Sequence, residues 1–202
     1  MVAPEGGLPE LGRCAVMGIL NVTPDSFSDG GRYLDRSHAI AHGVTMRDGG
    51  ADLVDVGGES TRPGAQRIDA ATERERVEPV VRELVSSGVR VSVDTTRSEV
   101  ALACVEAGAV MINDVSGGLA DPRMAAVAAE TRVPWVLMHW RGHSATMAQL
   151  ARYEDVIGEV RQELVARADH AVMAGVDPGR IVLDPGLGFA KTAAHNLSLI
   201  HI

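Results

Sequence analysis

Apolar residues are concentrated in six short runs, and a longer, more polar segment separates each run from the next. The runs read CAVMGIL, DLVDV, VRVSV, AVMI, WVLM and RIVL. They are rich in Val, Ile, Leu and Met without regular polar alternation, which is typical of strands that are buried on both faces. The pattern therefore predicts six interior strands.

The segments between the runs show helical spacing. Asp69 is a plausible N-cap and Gly88 a plausible stop for one helix, whose apolar residues share a face at Val77, Val80, Val81, Leu84 and Val85. Pro79 lies inside this segment, so we expect a kink or a late start. A second helical pattern runs from Val156 to Val172 and stops at Gly175. Strict alternation of strand and helix predicts a parallel sheet with crossovers.

Two architectures satisfy this order, an open doubly wound sheet and a closed barrel, and the strand ends distinguish them. An open sheet gathers ligands mainly at one switch point, whereas all strand ends of a barrel converge on one mouth. Here every run stops at polar residues, which are Asn21, Asp55 followed by Glu59, Asp94, Asn113 with Asp114, His139 with Arg141, and Asp184. We therefore predict the α/β class and a TIM (β/α)8 barrel.

The length of the chain conflicts with a complete barrel. Such a barrel typically needs roughly 250 residues and eight βα units, whereas the 202 residues here provide about six units. We expect an N-terminal tail at 1–12 and a partial barrel domain at 13–202, belonging to a longer protein with about two more units.

Composition restricts the partners. The formal net charge is −8, which argues against nucleic acid or an anionic membrane because both require a concentrated basic face. No run approaches the roughly 20 apolar residues of a membrane helix. Cys14 and Cys104 lack metal-ligand spacing and indicate a reducing compartment. We therefore predict a cytoplasmic protein that acts on small molecules.

Three polar residues at the predicted mouth suggest a ligand type. Asp94, Asn113 and Asp184 would place two carboxylates and a carboxamide around one cavity. Each alone is a common turn or cap residue, but together they suit a flat, nitrogen-rich ring, because carboxylates accept paired N–H bonds and an amide both donates and accepts. Two alternatives stay open, a divalent metal site and an acid–base pair such as glycosidases use.

Two long loops follow the first two strands. They read NVTPDSFSDGG and GGESTRPGA, and adjacent strands would place them side by side over the mouth. In the second loop Arg62 and Pro63 are either a turn with a solvated arginine or a contact for an anion. We expect the loops to form a lid that excludes water from a reactive cation.

The motifs MGILNVTPDSFSDGG, DVGGESTRPGA, SVDTTRSEVA, MINDVSGG and VLDPGLGFAK, in this order, closely resemble dihydropteroate synthases, the folate-pathway enzymes targeted by sulfonamides. The segment VPWVLMHWRG is most similar to actinobacterial members. The resemblance implies a TIM barrel that joins p-aminobenzoate to 6-hydroxymethyl-7,8-dihydropterin diphosphate, giving 7,8-dihydropteroate and pyrophosphate by way of a pterin carbocation.

The resemblance also implies roles for single residues. Asp94 and Asp184 would be the catalytic carboxylates, and with Asn113 they match the pterin pocket. Asn21 matches an asparagine associated with Mg²⁺, and Thr61 matches a diphosphate contact. Phe27, Arg62, Pro63 and Phe189 match the surroundings of the benzoate, while Met138 is expected to line the mouth.

Two motifs of the family do not occur in these 202 residues. They are a Ser-Arg-Lys on strand seven, whose lysine bridges the two substrate sites, and an Arg-x-His on strand eight, which holds the diphosphate. Lys191 is not expected to substitute for that lysine. We therefore expect an active, homodimeric parent and an inactive 202-residue chain. A methyltetrahydrofolate methyltransferase and a non-catalytic pterin-binding paralogue are the alternatives.

Overall fold

The structure is a computed structural model that describes residues 11–23, 31–59, 67–142 and 147–200, without the side chains of 31–35 and 148. Strands and helices alternate along the chain. The strands are β1 (Met17–Asn21), β2 (Leu53–Gly57), β3 (Val91–Asp94), β4 (Met111–Asp114), β5 (Trp135–Met138) and β6 (Ile181–Asp184). The helices are α1 (Gly31–Asp48), α2 (Ala70–Ser86), α3 (Ser98–Glu106), α4 (Met124–Thr131), α5 (Val156–Met173) and α6 (Ala193–Ile200).

The strands form one parallel sheet in the order β1-β2-β3-β4-β5-β6. All six predicted strands are confirmed, and so is the alternation with helices. Each strand pairs with the next strand in sequence, as in a (β/α)8 barrel, and β1 and β6 are the edges of the sheet within the described residues. The architecture is that of a barrel with six of its eight units.

Successive residues of each strand point to opposite faces of the sheet. The outer face packs against the helices and contains the main core, which includes Val54, Val93, Ile112, Trp135 and Leu137. The inner face carries a smaller apolar cluster of Leu53, Met111 and Val136, with Met17 and Val182 packed against it. Because these residues lie early in their strands, the later positions of the inner face are left for other side chains.

The helix around Pro79 differs from the prediction. Helix α2 begins at Ala70, directly after the predicted cap, and it continues through Pro79 to Ser86. Asp69 fixes the start because its side chain accepts a hydrogen bond of 2.8 Å from the amide of Thr72. Of the two consequences predicted for Pro79, the late start is therefore wrong and the kink stays a prediction. The buried apolar face of the helix offsets the backbone hydrogen bond that a proline removes.

Two other expectations concern the ends of the chain and membranes. The predicted tail at 1–12 lies almost wholly outside the described residues. Among the helices that the structure describes, none is long and apolar enough to cross a membrane. The second predicted helix is confirmed, since α5 spans Val156–Met173 and Gly175 follows it at a φ of +99°.

Candidate active site

The candidate site lies on the inner face, at the carboxyl ends of the strands. Met111, Val136 and Val182 belong to the inner cluster, and the residue two positions after each lies on the same face. Asn113, Met138 and Asp184 therefore lie on the inner face. The strand ends are adjacent as well, because Asp184 is in register with Met138. Three predicted site residues therefore lie on the same face of the sheet, at the carboxyl ends of the strands.

A buried carboxylate holds Asn113. The Nδ2 of Asn113 donates a hydrogen bond of 2.8 Å to the Oδ2 of Asp55, which is 2% exposed. The Ser92 hydroxyl lies across the strands from Asp55 but makes no aligned hydrogen bond, and the Oδ1 of Asp55 has no partner among the described residues. Burial raises the pKa of Asp55, while Ser92 and Asn113 oppose that shift.

Asp94 ends β3 and stands between two neighbouring strands, in register with Gly57 of β2 and with Asn113 of β4. A Cβ built on Gly57 would come within 3.2 Å of the Oδ2 of Asp94, so the glycine leaves room for this carboxylate. Burial raises the pKa of Asp94 well above its usual range, and the negative charge of Asp55 raises it further. The surroundings of Asp94 therefore favour protonation of its carboxylate, or a hydrogen bond to it from a donor.

Asp184 is held by its own turn. The amide of Gly186 donates a hydrogen bond of 2.7 Å to the Oδ1 of Asp184. The backbone carbonyl oxygen of Asp184 accepts a hydrogen bond of 2.8 Å from the amide of His139. Met138 is buried beside it, and Phe189 is half-buried in the loop that follows. Among the described contacts of Asp184, Oδ1 is the carboxylate oxygen that accepts a hydrogen bond, so Oδ2 is the oxygen available to a ligand.

Several polar residues at strand ends do not face this site, and the prediction that grouped them with the mouth is wrong for them. Asp114 lies on the outer face, where it accepts hydrogen bonds from Ser116 and Gly118 and folds the turn after β4. His139 is fully buried and contacts Glu163 of α5. Arg141 also binds Glu163. Adjacent strand residues alternate between faces, so only alternate positions reach the inner side.

The second long loop is fixed at its base. Glu59, near the start of the loop, accepts hydrogen bonds of 3.2 Å from Arg67, 3.3 Å from the amide of Ile68 and 2.7 Å from Arg97. Arg97 also donates to the carbonyl oxygen of Ile68 and binds the buried carboxylate of Glu73. Glu59 is therefore a structural residue that joins the two ends of this loop.

The predicted residues of the two loops lie outside the described residues. They are Phe27, Thr61, Arg62 and Pro63. The structure does describe the strand ends that carry these loops. Asn21 is exposed at the end of β1 and is in register with Gly57, and the amide of Val22 donates 2.8 Å to the carbonyl oxygen of Gly57. The two loops thus begin from neighbouring points.

The described residues contain no group of three or more His, Cys, Asp and Glu side chains that could hold a metal ion. For that part of the chain, this weighs against a metal held by protein carboxylates alone. Asn21 offers one amide oxygen at the end of β1. A Mg²⁺ ion usually combines one or two protein oxygens with water and substrate phosphates. Asn21 could therefore supply one protein ligand to such an ion.

Sequence reasoning did not assign a role to two residues of this region. Asp55 was recognised only as a polar strand end, although a carboxylate inside a run buried on both faces needs a partner. Lys191 was set aside, yet it is 9% exposed and donates to His139 and to the loop after β6. The composition of the chain did offer a signal for Lys191, because it is the single lysine among the 19 Lys and Arg residues.

Comparisons with known proteins agree with this geometry. Residues 17–202 match the family described as pterin binding enzyme. The dihydropteroate synthase of Mycobacterium leprae is 58% identical over 187 residues, which cover 92% of this chain and 66% of that protein. The chain thus spans slightly less than two thirds of the length of this relative.

Solved structures give the same result. A Xanthomonas albilineans dihydropteroate synthase with 4-aminobenzoic acid has a TM-score of 0.86 and 48% identity, covering 94% of this chain and 67% of that one. The enzyme from the same organism in complex with 7,8-dihydropteroate has a TM-score of 0.82 and 44% identity, covering 94% of this chain and 66% of that one. The chain therefore belongs to the pterin-binding enzyme family, and these relatives within the family are dihydropteroate synthases.

Proposed function

We propose that this chain forms the pterin site of a dihydropteroate synthase. The reaction joins 6-hydroxymethyl-7,8-dihydropterin diphosphate to p-aminobenzoate and releases pyrophosphate. The observation that carries the proposal is the shared inner face of Asp94, Asn113 and Asp184 at the carboxyl ends of their strands. The similarity to synthases solved with 4-aminobenzoic acid and with 7,8-dihydropteroate supports it.

The inner face is suited to a ring whose edge carries several N–H groups. An ionised carboxylate only accepts hydrogen bonds, and Asp94 and Asp184 supply two of them. Because the amide of Asn113 donates to Asp55, its carbonyl oxygen is directed away from that contact and becomes a third acceptor. The same negative groups would stabilise positive charge that develops on the ring when the bond to the diphosphate breaks.

The remaining groups would act around this pocket. Phe189 and Met138 would supply apolar contacts, Phe189 on the side of the benzoate together with Phe27, Arg62 and Pro63. Thr61 would contact the diphosphate. Asn21 would hold Mg²⁺, which offsets the charge of the departing pyrophosphate when it is bound. The two free cysteines, one exposed and one buried, fit the predicted cytoplasmic location. A homodimeric parent also stays a prediction.

Calorimetry with two ligands tests the proposal. The 202-residue chain is titrated with 6-hydroxymethylpterin, and then with p-aminobenzoate in the presence of that pterin and pyrophosphate. We expect pterin binding that Asp184→Ala weakens at least tenfold. This factor corresponds to about 1.4 kcal/mol, close to the lower limit of the roughly 1.5–3 kcal/mol that a hydrogen bond to a charged group contributes. Asp169→Ala, at an exposed position of α5, is the matched control.

The outcomes separate the alternatives. Binding of methyltetrahydrofolate without any response to p-aminobenzoate would favour a methyltransferase-like barrel. Pterin binding alone, also in the full-length parent, would favour a non-catalytic paralogue. A chain that is folded by circular dichroism but binds no pterin would overturn the proposal. Pyrophosphate release is measured in parallel, with turnover expected from the parent and not from the 202 residues.

A further inference from the structure

The single lysine of the chain is buried directly beneath the candidate site. Lys191 follows the loop after β6, and its Nζ makes three hydrogen bonds. It donates 3.1 Å to the carbonyl oxygen of Gly186, 3.1 Å to that of Phe189, and 2.9 Å to the Nδ1 of His139. An ammonium group has three N–H bonds, so every donor of Lys191 has a partner.

These contacts fix the proton positions on His139. Because the ammonium group can only donate, the Nδ1 of His139 must be the unprotonated nitrogen. Its Nε2 therefore carries the proton and donates 3.0 Å to the Oε2 of Glu163 on α5. We call Lys191, His139 and Glu163 the Lys191 cluster. It connects the loop after β6 to the end of β5 and to α5.

The acceptors around Lys191 suit an ammonium group and not a guanidinium group. Two carbonyl oxygens and a ring nitrogen surround a single point at 2.9–3.1 Å. A guanidinium group is planar and spreads its donors over a wide fork, so it cannot meet three acceptors around one point. Eighteen of the 19 basic residues of the chain are arginine, and the exception stands at this position.

The loop that Lys191 binds also holds Asp184. The turn at 186–189 is closed by a hydrogen bond of 3.1 Å from the amide of Phe189 to the carbonyl oxygen of Gly186, which is an acceptor of Lys191 as well. The amide of the same Gly186 donates to the Oδ1 of Asp184. A shift of this turn would therefore change the orientation of the Asp184 carboxylate.

We propose that Lys191 is a positioning residue, which fixes the turn at 186–189 so that Asp184 and Phe189 are held ready for the pterin ring. The proposal rests on the proposed function for the identity of the ligand. The fixing of the turn itself does not depend on it, so the two can be tested separately.

The protonation of Lys191 gives a signature that simple packing would not give. The pKa of Lys191 is lowered to about 8, chiefly by burial and also by Arg141 and Arg167, while Asp184 and Glu163 oppose the shift. Below about pH 8 the amine has three donors. Above that pH it has two donors and a lone pair, so one of its three acceptors loses its hydrogen bond. The turn should loosen as the pH rises through this value.

Amide hydrogen exchange tests the fixing of the turn without a ligand. The amides of Gly186, Gly188 and Phe189 are followed, since they donate hydrogen bonds to the Oδ1 of Asp184, to the Oδ1 of Asn196 on α6 and to the carbonyl oxygen of Gly186, respectively. We expect their protection factors to fall at least fivefold in Lys191→Met. In the unmutated chain they should fall between pH 7 and pH 9.5, after correction for the intrinsic exchange rate. Arg161→Met, at an exposed position of α5, is the control and should change nothing.

Binding of 6-hydroxymethylpterin, measured by calorimetry, tests the link to the site. We expect the affinity of the unmutated chain to fall as pH rises through about 8, and Lys191→Met to bind at least fivefold more weakly below that pH, with a flatter profile. Lys191→Arg should not restore the affinity. The proposal would be overturned if Lys191→Met had the same protection factors as the unmutated chain at pH 7 and at pH 9.5. An unchanged pterin affinity in Lys191→Met would also overturn it. Failure of the unmutated chain to bind pterin would instead overturn the proposed function.

Discussion

Acid should destabilise this protein through His139. Its ring is fully buried, and its two nitrogens already bind Lys191 and Glu163. The pKa of His139 is lowered from 6.5 to about 4, chiefly by burial and also by the positive charge of Lys191, while Glu163 opposes the shift. Protonation would place a second cation against the ammonium group of Lys191. The folded protein therefore resists a proton that the unfolded chain accepts.

The sign and the size follow from proton linkage. Above pH 6.5 neither state binds this proton, so the stabilisation by the neutral ring is fully present. Between pH 6.5 and about 4 only the unfolded state binds it, so the free energy of unfolding falls by about 1.4 kcal/mol per pH unit. Over that interval the loss amounts to about 3 kcal/mol, a large part of the roughly 5–15 kcal/mol that stabilises most domains.

Urea denaturation from pH 8 to pH 4.5 measures this loss, with His139→Gln as the reference. The buried carboxylates also titrate in acid, so the informative quantity is the difference in unfolding free energy between the two proteins at each pH. We expect this difference to be constant above pH 6.5, where it reports the packing and hydrogen bonds of the neutral ring, and to change by about 2 kcal/mol or more at lower pH. A difference that is independent of pH would refute the reasoning.

Three further predictions concern single substitutions. Asp55→Ala should lower the pKa of Asp94, measured by carboxyl NMR titration, because it removes the charge that raises this pKa most. Gly57→Ala should weaken pterin binding in calorimetry with little change in melting temperature, since its Cβ would displace the Asp94 carboxylate by a few tenths of an ångström. Gly186→Ala should cost about 2 kcal/mol more than Gly188→Ala in urea denaturation, because both have positive φ but only the first would place a Cβ 2.5 Å from a backbone oxygen.

The strands were predictable because their signal is local. A run of apolar residues without alternation is what a strand buried on both faces requires, and no knowledge of neighbouring strands is needed to see it. The order of the units and the parallel sheet followed from the same pattern. The cap at Asp69 was predicted, but the late start inferred from Pro79 was wrong. That rule is local, whereas the helix is stabilised by the burial of Val77, Val80 and Leu84 against other elements.

The orientation of side chains at the strand ends was less accessible from sequence. Asn113 and Asp114 are adjacent, yet one contacts Asp55 on the inner face and the other folds a turn on the outer face. Deciding between them requires the phase of each strand relative to the sheet. The resemblance selected Asn113, but the residues alone gave no reason to separate the two. The contacts of Asp55 with Asn113 and of Lys191 with His139 join distant parts of the chain and had no local signal.

The buried carboxylates of the inner face reduce the stability of the folded protein, and this cost indicates that they belong to a functional site. Burial raises the pKa of both Asp55 and Asp94, so at neutral pH their ionised forms are less stable in the folded protein than in the unfolded chain. A ring with N–H groups along its edge would supply the donors that the inner carboxylates lack. Its binding would then stabilise the protein against unfolding in proportion to ligand concentration.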